Sequence, residues 1–410
     1  MLPWKKNRKI LLAVTGGISA YKAPEILRGL IKSECEVEVV LTEEAERFVS
    51  PLVLSTLAGK KVWRQEDYLS DDKGWGIPHI GLAEWPDAIL IIPATAESIS
   101  KAARGEAWSL LGGILLATRA PVMFFPAMNV NMYEHPATVD NLQTLKKLGY
   151  SVIEPDSGYL ACGYEGKGRL PELQAILEEL WRVLCPSSKL QGRKILVTAG
   201  PTWEFLDPVR FISNPSSGKM GYQMARTAWY RKGMVTLVHG PVETQCTHGL
   251  NTVPVTSALE MHEEVMGRLS EQDIIVKAAA VGDFRSKKVA AEKIKRHGER
   301  ELNLSLVQNP DIALDVGKEK GKDQLLIGFA AESSDLLENA RKKLSAKNMD
   351  YIILNDITAG EGSGFQSDNN RVTLISRSGE DLTFSGSKEE VASHIWDVIL
   401  SSKERPGIFG

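Results

Sequence analysis

A few short stretches hold the side chains best suited to chemistry. DSGYLACGYEGKGRLPE (156–172) sets Cys162 in a glycine-rich segment with little helix or strand pattern. A thiol in such a loop can donate a proton, attack as a nucleophile or cycle between redox states; it can equally be an incidental buried group. GIPHIGLAEWPD carries His79 at the start of a helical pattern, where an imidazole serves proton transfer or local structure. PAMNVNMY (126–133) puts Asn129 beside Met128 just after a strand end. The thioether offers a soft surface to a flat ring, or simply fills core. TGGIS (15–19) places Gly16, Gly17 and Ser19 at a helix start, which suits a phosphate. The G-x-G-x-x-G spacing is missing there, so a plain tight turn explains it as well. PATAES (93–98), with Ala94 and Thr95, is a second hydroxyl-bearing turn.

NPSSGKMG (214–221) imitates a phosphate loop. A Walker loop needs Gly-x4-Gly-Lys followed by Ser or Thr. Here Ser213 stands where the first glycine belongs, and Met220 follows Lys219. Ser216, Ser217, Gly218 and Lys219 can still cradle a phosphate at a helix start, without a Walker magnesium site. Lys343 and Lys347 in RKKLSAKN are spaced i, i+4, so both can face one way, as solvated surface or as anion contacts.

The elements around these stretches follow from hydrophobic pattern. KILLAVT (9–15), EVEVVLT (36–42, closing on Thr42), AILIIPAT (88–95), PVMFFPAM (121–128) and SVIEP (151–155) read as short buried strands separated by helical segments. An amphipathic helix over 171–184 closes the set, and the polar Pro, Ser and Gly residues of 185–194 read as a linker. The pattern then restarts with KILVTAG (194–200), MVTLVHG (234–240), DIIVKAAA (273–280), QLLIGFAAE (324–332) and YIILND (351–356). RVTLISRSGEDLTFSG (371–386) alternates as a terminal hairpin. Apolar strands alternating with helices predict the α/β class, with two doubly wound domains over 1–190 and 191–410. Ligands bind such sheets beyond the carboxyl ends of the strands, where all the stretches above fall.

Bulk properties narrow the function. A chain of 410 residues exceeds what one core supports. A net charge of −3 provides no basic field for nucleic acid. No run approaches the ~18 apolar residues of a spanning helix, so no membrane partner is expected. The four cysteines show neither C-x-x-C nor zinc spacing, which fits a reducing, cytoplasmic setting. The missing dinucleotide fingerprint argues against an NAD-dependent dehydrogenase.

Taken in order, GGISAYK, the PATA turn, PHI, PAMNxxM and ACG-x-x-G-x-G-R resemble the flavin-dependent cysteine decarboxylases. AGPTWEFLDPVRFISNPSSGKMG, AAAVGDF, EKIKR, NPDI and GFAAE resemble the phosphopantothenate–cysteine ligases. The fused order resembles the bifunctional enzymes of bacterial coenzyme A biosynthesis, over about residues 9–400. For the first half the resemblance implies a flavoprotein-type sheet that binds FMN through Gly16, Gly17, Ser19, Thr42, Ala94, Thr95 and Met128. His79 would handle the substrate near the flavin, Asn129 would hold its carboxylate and Cys162 would return a proton. For the second half it implies a Rossmann-like ligase sheet that joins 4'-phosphopantothenate to L-cysteine using CTP. Lys277, Ala278, Ala279, Asp283, Asn309, Pro310, Asp311, Ile312, Phe329, Lys343 and Lys347 would contact CTP. Lys293 in EKIKR would bind its triphosphate, with Mg2+ held mainly through the phosphates, and Asn214 would contact the activated intermediate. Trimeric decarboxylase and dimeric ligase contacts, hence a homo-oligomer, are implied as well. The chain departs from the family pattern at Glu97 and at Trp108-Ser109, beside the expected flavin site.

Overall fold

The computed structural model describes residues 2–70, 76–107, 109–159, 163–242, 246–295, 302–332, 336–356, 367–377 and 381–402. The chain divides into two compact units, one spanning Pro3–Leu184 and the other beginning at Cys185.

In the first unit the strands are β1 (Lys9–Val14), β2 (Glu36–Leu41), β3 (Val62–Trp63), β4 (Ala88–Ala94), β5 (Val122–Pro126) and β6 (Ser151–Val152). They pair in parallel in the order β3-β2-β1-β4-β5-β6. Helices α1 (Ala23–Lys32), α2 (Pro51–Ala58), α3 (Pro78–Glu84), α4 (Ala96–Arg104), α5 (Leu110–Ala117), α6 (Val130–Glu134), α7 (Pro136–Lys147) and α8 (Leu173–Leu184) complete the unit. Every residue of β4 and β5 is buried, as a sheet covered on both faces requires. The chain order reverses between β1 and β4, so their carboxyl ends diverge and leave a crevice.

Two sequence expectations change here. SVIEP forms only the two-residue β6; Glu154 instead turns outward to pair with Lys167. The segment 156–172, which shows no strand pattern, contains an antiparallel hairpin of β7 (Asp156–Tyr159) and β8 (Glu165–Arg169). Gly158 and Gly168 sit at φ 154° and 149°, a backbone that other residues resist, and their presence erases the alternation that marks a strand. The hairpin docks beside α6. Met128 N–H donates to the Gly168 carbonyl at 3.1 Å, and a Cβ on Gly166 would stand 2.9 Å from Val130 Cγ2.

The second unit contains β9 (Lys194–Ala199), β10 (Glu204–Phe205), β11 (Phe211–Ile212), β12 (Met234–His239), β13 (Asn251–Pro254), β14 (Ile274–Lys277), β15 (Phe284–Ser286), β16 (Leu306–Gln308), β17 (Leu325–Glu332), β18 (Tyr351–Asp356), β19 (Asn369–Ser376) and β20 (Leu382–Ser387). The main sheet runs β13-β12-β9-β14-β17-β18-β19-β20, parallel through β18, with the terminal hairpin adding two antiparallel strands. Helices α9 (Lys219–Tyr230), α10 (Ala258–Arg268), α11 (Ile312–Glu319), α12 (Leu336–Ala346) and α13 (Lys388–Ser401) flank it. Ile275, Leu326 and Ile352 pack with Met261, Ile312, Val316 and Leu344 on the face that α10, α11 and α12 cover. NTVP (251–254) and the small pairs β10–β11 and β15–β16 escape a pattern reading, being too short to show a period.

Helix α9 presses directly against the end of β9. Gly218 caps it at φ +70°, and a Cβ on Gly221 would lie 2.7 Å from Ala199 Cβ and 2.8 Å from the Thr198 carbonyl. Replacing Gly221 with Val must push the helix start off the strand. A loss of about 1–3 kcal/mol is expected, read as a lower melting temperature of this unit. An unchanged melting curve would show that the contact is slack.

Candidate active site

In the second unit a cleft of about 500 Å³ opens over the carboxyl ends of β9, β14 and β17. Its floor is the 278–283 backbone, which leaves the sheet after β14 and is held by surrounding groups. Ala279 N–H donates to Thr198 Oγ1 at 3.2 Å, Ala280 N–H to the Gly200 carbonyl at 2.9 Å, and Gly282 N–H to Thr202 Oγ1 at 3.0 Å. Asn309 clamps the other edge, its Nδ2 donating to the Gly282 carbonyl at 2.7 Å and its N–H to that of Asp283 at 2.8 Å. Asn214 Nδ2 donates to the carbonyls of Ala280 and Val281 at 3.3 and 3.1 Å. That arrangement settles which end of the amide is nitrogen, because both neighbours are acceptors.

The two sides of the cleft differ in charge. On the α9 side the helix starts at Gly218 with no side-chain cap. Lys219 pairs with the exposed Asp368 at 2.6 Å, and Lys388, at the first turn of α13, lines the same side. Burial, aided by the Lys219 charge and opposed by Asp368, lowers the Lys388 ammonium from its ordinary value. On the α11 side Asp311 caps the helix by accepting from Leu314 N–H at 3.1 Å and pairs with Lys347 at 2.8 Å. Burial alone would raise its carboxyl, but the hydrogen bonds from Lys347 and the helix N–H groups outweigh that and hold it below the usual range. Beneath them Lys277 ends β14, 7% exposed, with no hydrogen-bond partner on Nζ. Burial, with a contribution from Lys347 and against the pull of Asp311, pushes its ammonium down to about 7.

This cleft gathers Asn214, the 216–219 loop, Lys277, Ala278, Ala279, Asp283, the 309–312 segment, Phe329, Lys343 and Lys347. Lys343 lies in α12 and Lys347 one residue past its end, and both reach the cleft. Lys293 is exposed and is not among the lining residues. Lys388, Asn370, Asn355 and Met349 line the cleft without having stood out in sequence. For Lys388 a signal existed: Ser387 and Glu390 form a capping box that places residue 388 at a helix N-terminus.

The first unit has a smaller cavity, about 100 Å³, at the β1/β4 crevice. Thr15, Gly16, Thr42, Thr95 and Ser98 line it, together with Glu97 and Ser109 from the divergent positions. Thr15 Oγ1 donates to the Pro93 carbonyl at 2.7 Å and accepts from Thr95 N–H at 3.2 Å, tying the two turns together. Gly16 is obligatory, since a Cβ there would fall 2.3 Å from Glu44 Cβ. Gly17 abuts Thr95, Ser19 is half-buried, Ala94 is fully buried and Met128 packs against the core. The hydroxyls around Gly16 fit phosphate and ribityl oxygens, so the donor set suits FMN. His79 lies on α3 with a buried, unpartnered Nδ1 and its ring 5.1 Å from that of Tyr68. Asn129 caps α6, accepting from Asn131 N–H at 2.8 Å. Neither lines this cavity, and Cys162 and Trp108 lie outside the described residues.

Comparison with known proteins matches residues 4–184 to the family described as Flavoprotein and residues 190–402 to that described as DNA/pantothenate metabolism flavoprotein C-terminal domain. The Coenzyme A biosynthesis bifunctional protein CoaBC of Bacillus subtilis (strain 168) is 44% identical over 376 residues, 91% of either chain. Its namesake in Escherichia coli (strain K12) is 40% identical over 397 residues, covering 96% of this chain and 97% of that one. The chain belongs to the CoaBC family of bifunctional coenzyme A biosynthesis proteins. A solved C-terminal domain of a CoaBC protein is 40% identical, with a TM-score of 0.44, and covers 52% of this chain and 96% of that one. Among the described residues no helix is long and apolar enough to cross a membrane.

For this CoaBC chain Lys277 carries a measurable penalty. Its folded value of about 7 lies below the ordinary 10.5, so between those values the unfolded chain binds the extra proton. Stability therefore rises with pH across that window, and the penalty is fully present below about pH 7. Lys277→Met is expected to melt higher than wild type at neutral pH, by the equivalent of a few kcal/mol, with the gap closing towards about pH 10. Melting curves across that range decide it. A constant gap would mean that the ammonium is not desolvated.

Proposed function

We propose that the chain converts 4'-phosphopantothenate to 4'-phosphopantetheine in two steps. The second unit activates the substrate carboxylate with CTP, giving an acyl-cytidylate and pyrophosphate; the amine of L-cysteine then displaces CMP. The first unit oxidatively decarboxylates the resulting 4'-phosphopantothenoylcysteine. When bound, FMN supplies the two-electron oxidation of the thiol and its later reversal. The observation that carries the ligase reading is the single cleft that collects nearly all the residues the family resemblance selects, with cations on both sides of a pinned backbone floor.

The chain's own groups divide the work. The uncapped start of α9, Lys219 and Lys388 favour negative charge and take the polyphosphate, with Mg2+ carried on its oxygens. Gly218 and Gly221 let the start of α9 pack closely on the loop at Gly200 and on the end of β9. The 278–283 floor and Asn214 fix the acyl group between nucleotide and incoming amine. In the first unit Asn129, oriented by its own cap bond, directs its amide at the substrate carboxylate. His79 offers its unpartnered Nδ1 to a proton on the substrate. Cys162, the residue the family resemblance selects, donates the last proton. Exposed apolar side chains such as Leu52 and Leu69 in the first unit and Phe211 and Phe284 in the second support self-association through both units. The free thiols of Cys35, Cys185 and Cys246 support a cytoplasmic setting.

Following pyrophosphate and CO2 separately tests both halves. Phosphopantothenate, L-cysteine, CTP and Mg2+ should release both, and the purified protein should be yellow. CO2 from added phosphopantothenoylcysteine without pyrophosphate from the full mixture would leave only the decarboxylase standing. Cys162→Ser should still release CO2 but accumulate the oxidised ene-thiol. A normal yield of phosphopantetheine from that variant would remove Cys162 from the mechanism.

A further inference from the structure

We propose that Lys277 is the side chain that reads the pyrimidine base of the nucleotide, its Nζ donating to the ring acceptors O2 and N3. The inference rests on the CTP-dependent ligase reading above. Side chains alternate along a strand, so Lys277 shares the face of Ile275, which packs with residues of α10, α11 and α12. Lys277 lines the cleft, and its nitrogen is withdrawn from water and meets no hydrogen-bond partner among the described residues. A buried donor left unmatched is costly, and a ligand acceptor placed there recovers that cost.

Charge decides which part of the nucleotide arrives. The two charges acting on Lys277, Asp311 and Lys347, are already paired with each other at 2.8 Å. The N-terminus of α11 already holds a carboxylate, that of Asp311. A triphosphate entering here would meet the resident carboxylate of Asp311. The start of α9 has no side-chain cap to occupy its N–H groups, and Lys388 stands beside it together with Lys219, whose own partner is the exposed carboxylate of Asp368. Phosphates therefore sort to the α9 side, leaving the uncharged heterocycle to the α11 side, where Ile312, Phe329 and Met349 supply apolar wall. The Lys277 nitrogen carries N–H donors in either protonation state. Cytosine turns two adjacent acceptors, O2 and N3, towards such a donor. Uracil carries a hydrogen on N3, and purines place their acceptors elsewhere. Lys277 therefore determines specificity rather than taking part in bond making.

The test compares CTP, UTP and ATP as co-substrates by pyrophosphate release, and cytidine and inorganic tripolyphosphate as inhibitors against CTP. Lys277→Met should raise the KM for CTP by about ten- to a hundredfold, the loss of one buried, charge-capable hydrogen bond. It should weaken cytidine inhibition by a similar factor, leave tripolyphosphate inhibition unchanged and narrow the preference for CTP over UTP. Lys277→Gln, which keeps a donor, should recover part of each effect, and it replaces the Met variant if that one fails to melt cooperatively. An unchanged nucleotide preference would overturn the inference. So would tripolyphosphate inhibition falling in step with cytidine, or a loss confined to kcat. Wild-type protein that accepts all three nucleotides alike would overturn the base-reading role and leave the ligase intact. Wild-type protein that releases pyrophosphate with none of them would overturn the ligase reading itself.

Discussion

The hydrogen bonds that hold the 278–283 backbone open are the constraint on which the ligase unit depends. Parallel strands buried on both faces leave their last polar groups at the carboxyl edge, where no neighbouring strand continues the ladder. The sequence answers with hydroxyls and amides at set places: Thr198 near the end of β9, Thr202 after it, Asn214 before α9 and Asn309 before α11. Each takes a bond from, or gives one to, the same short stretch. Because the stretch is fixed from both sides of the chain reversal, the cleft above it has a rigid floor before any ligand enters. Rigid positioning lowers the ordering cost of binding and of the transition state.

The first unit solves the same problem with the same kind of parts. Thr15 beyond β1 and Thr95 beyond β4 bond across the chain reversal, as Thr198 does for Ala279. The opposite edges match as well. Lys9 N–H bonds to Asp87 Oδ2 at 2.9 Å with Arg8 on the other carboxylate oxygen, and Lys194 N–H bonds to Asp273 Oδ2 at 2.7 Å with Arg193 likewise placed. In each unit an Arg-Lys pair opens the first strand and an aspartate precedes the fourth. That clamp sets the register of the two strands whose far ends carry the site. One architectural solution thus serves two unrelated chemistries, and side chains at the strand ends decide which chemistry each unit performs.

The order of strands and helices was legible because long apolar runs leave few alternatives. The six parallel strands of the ligase sheet include five visible by pattern, and the terminal hairpin announces itself by the alternation of its two strands. What the pattern missed is short or glycine-rich. β13 ends on a proline, and the β7–β8 hairpin is built on glycines whose φ values no apolar alternation reveals. Site residues on strand ends were legible for the same reason that strands were. Lys388 and Asn370 were not, because they arrive from the terminal hairpin and α13, and only packing brings them to the cleft. The standing of Lys277 was equally hidden: a lysine at a strand end reads as an ordinary anion contact until its burial and missing partner are seen.

NPSSGKMG looks like a defective phosphate loop only when it is measured against the Walker pattern. A Walker loop concentrates its donors in one glycine-rich turn and holds magnesium with the hydroxyl that follows the lysine. Here the turn is short, Gly218 alone takes the left-handed conformation, and Gly221 is reserved for contact with β9 rather than for ligand approach. The remaining positive charge comes from elsewhere, from Lys219 on the loop and Lys388 on α13. Spreading the cations over separate elements makes the anion site a product of the finished fold. On the α11 side Asp311 pairs with Lys347, and the N-terminus of that helix is occupied by a carboxylate. On the proposed ligase reading, such a cleft would take a nucleotide end to end without any single strong anchor, with the pinned floor between its two ends.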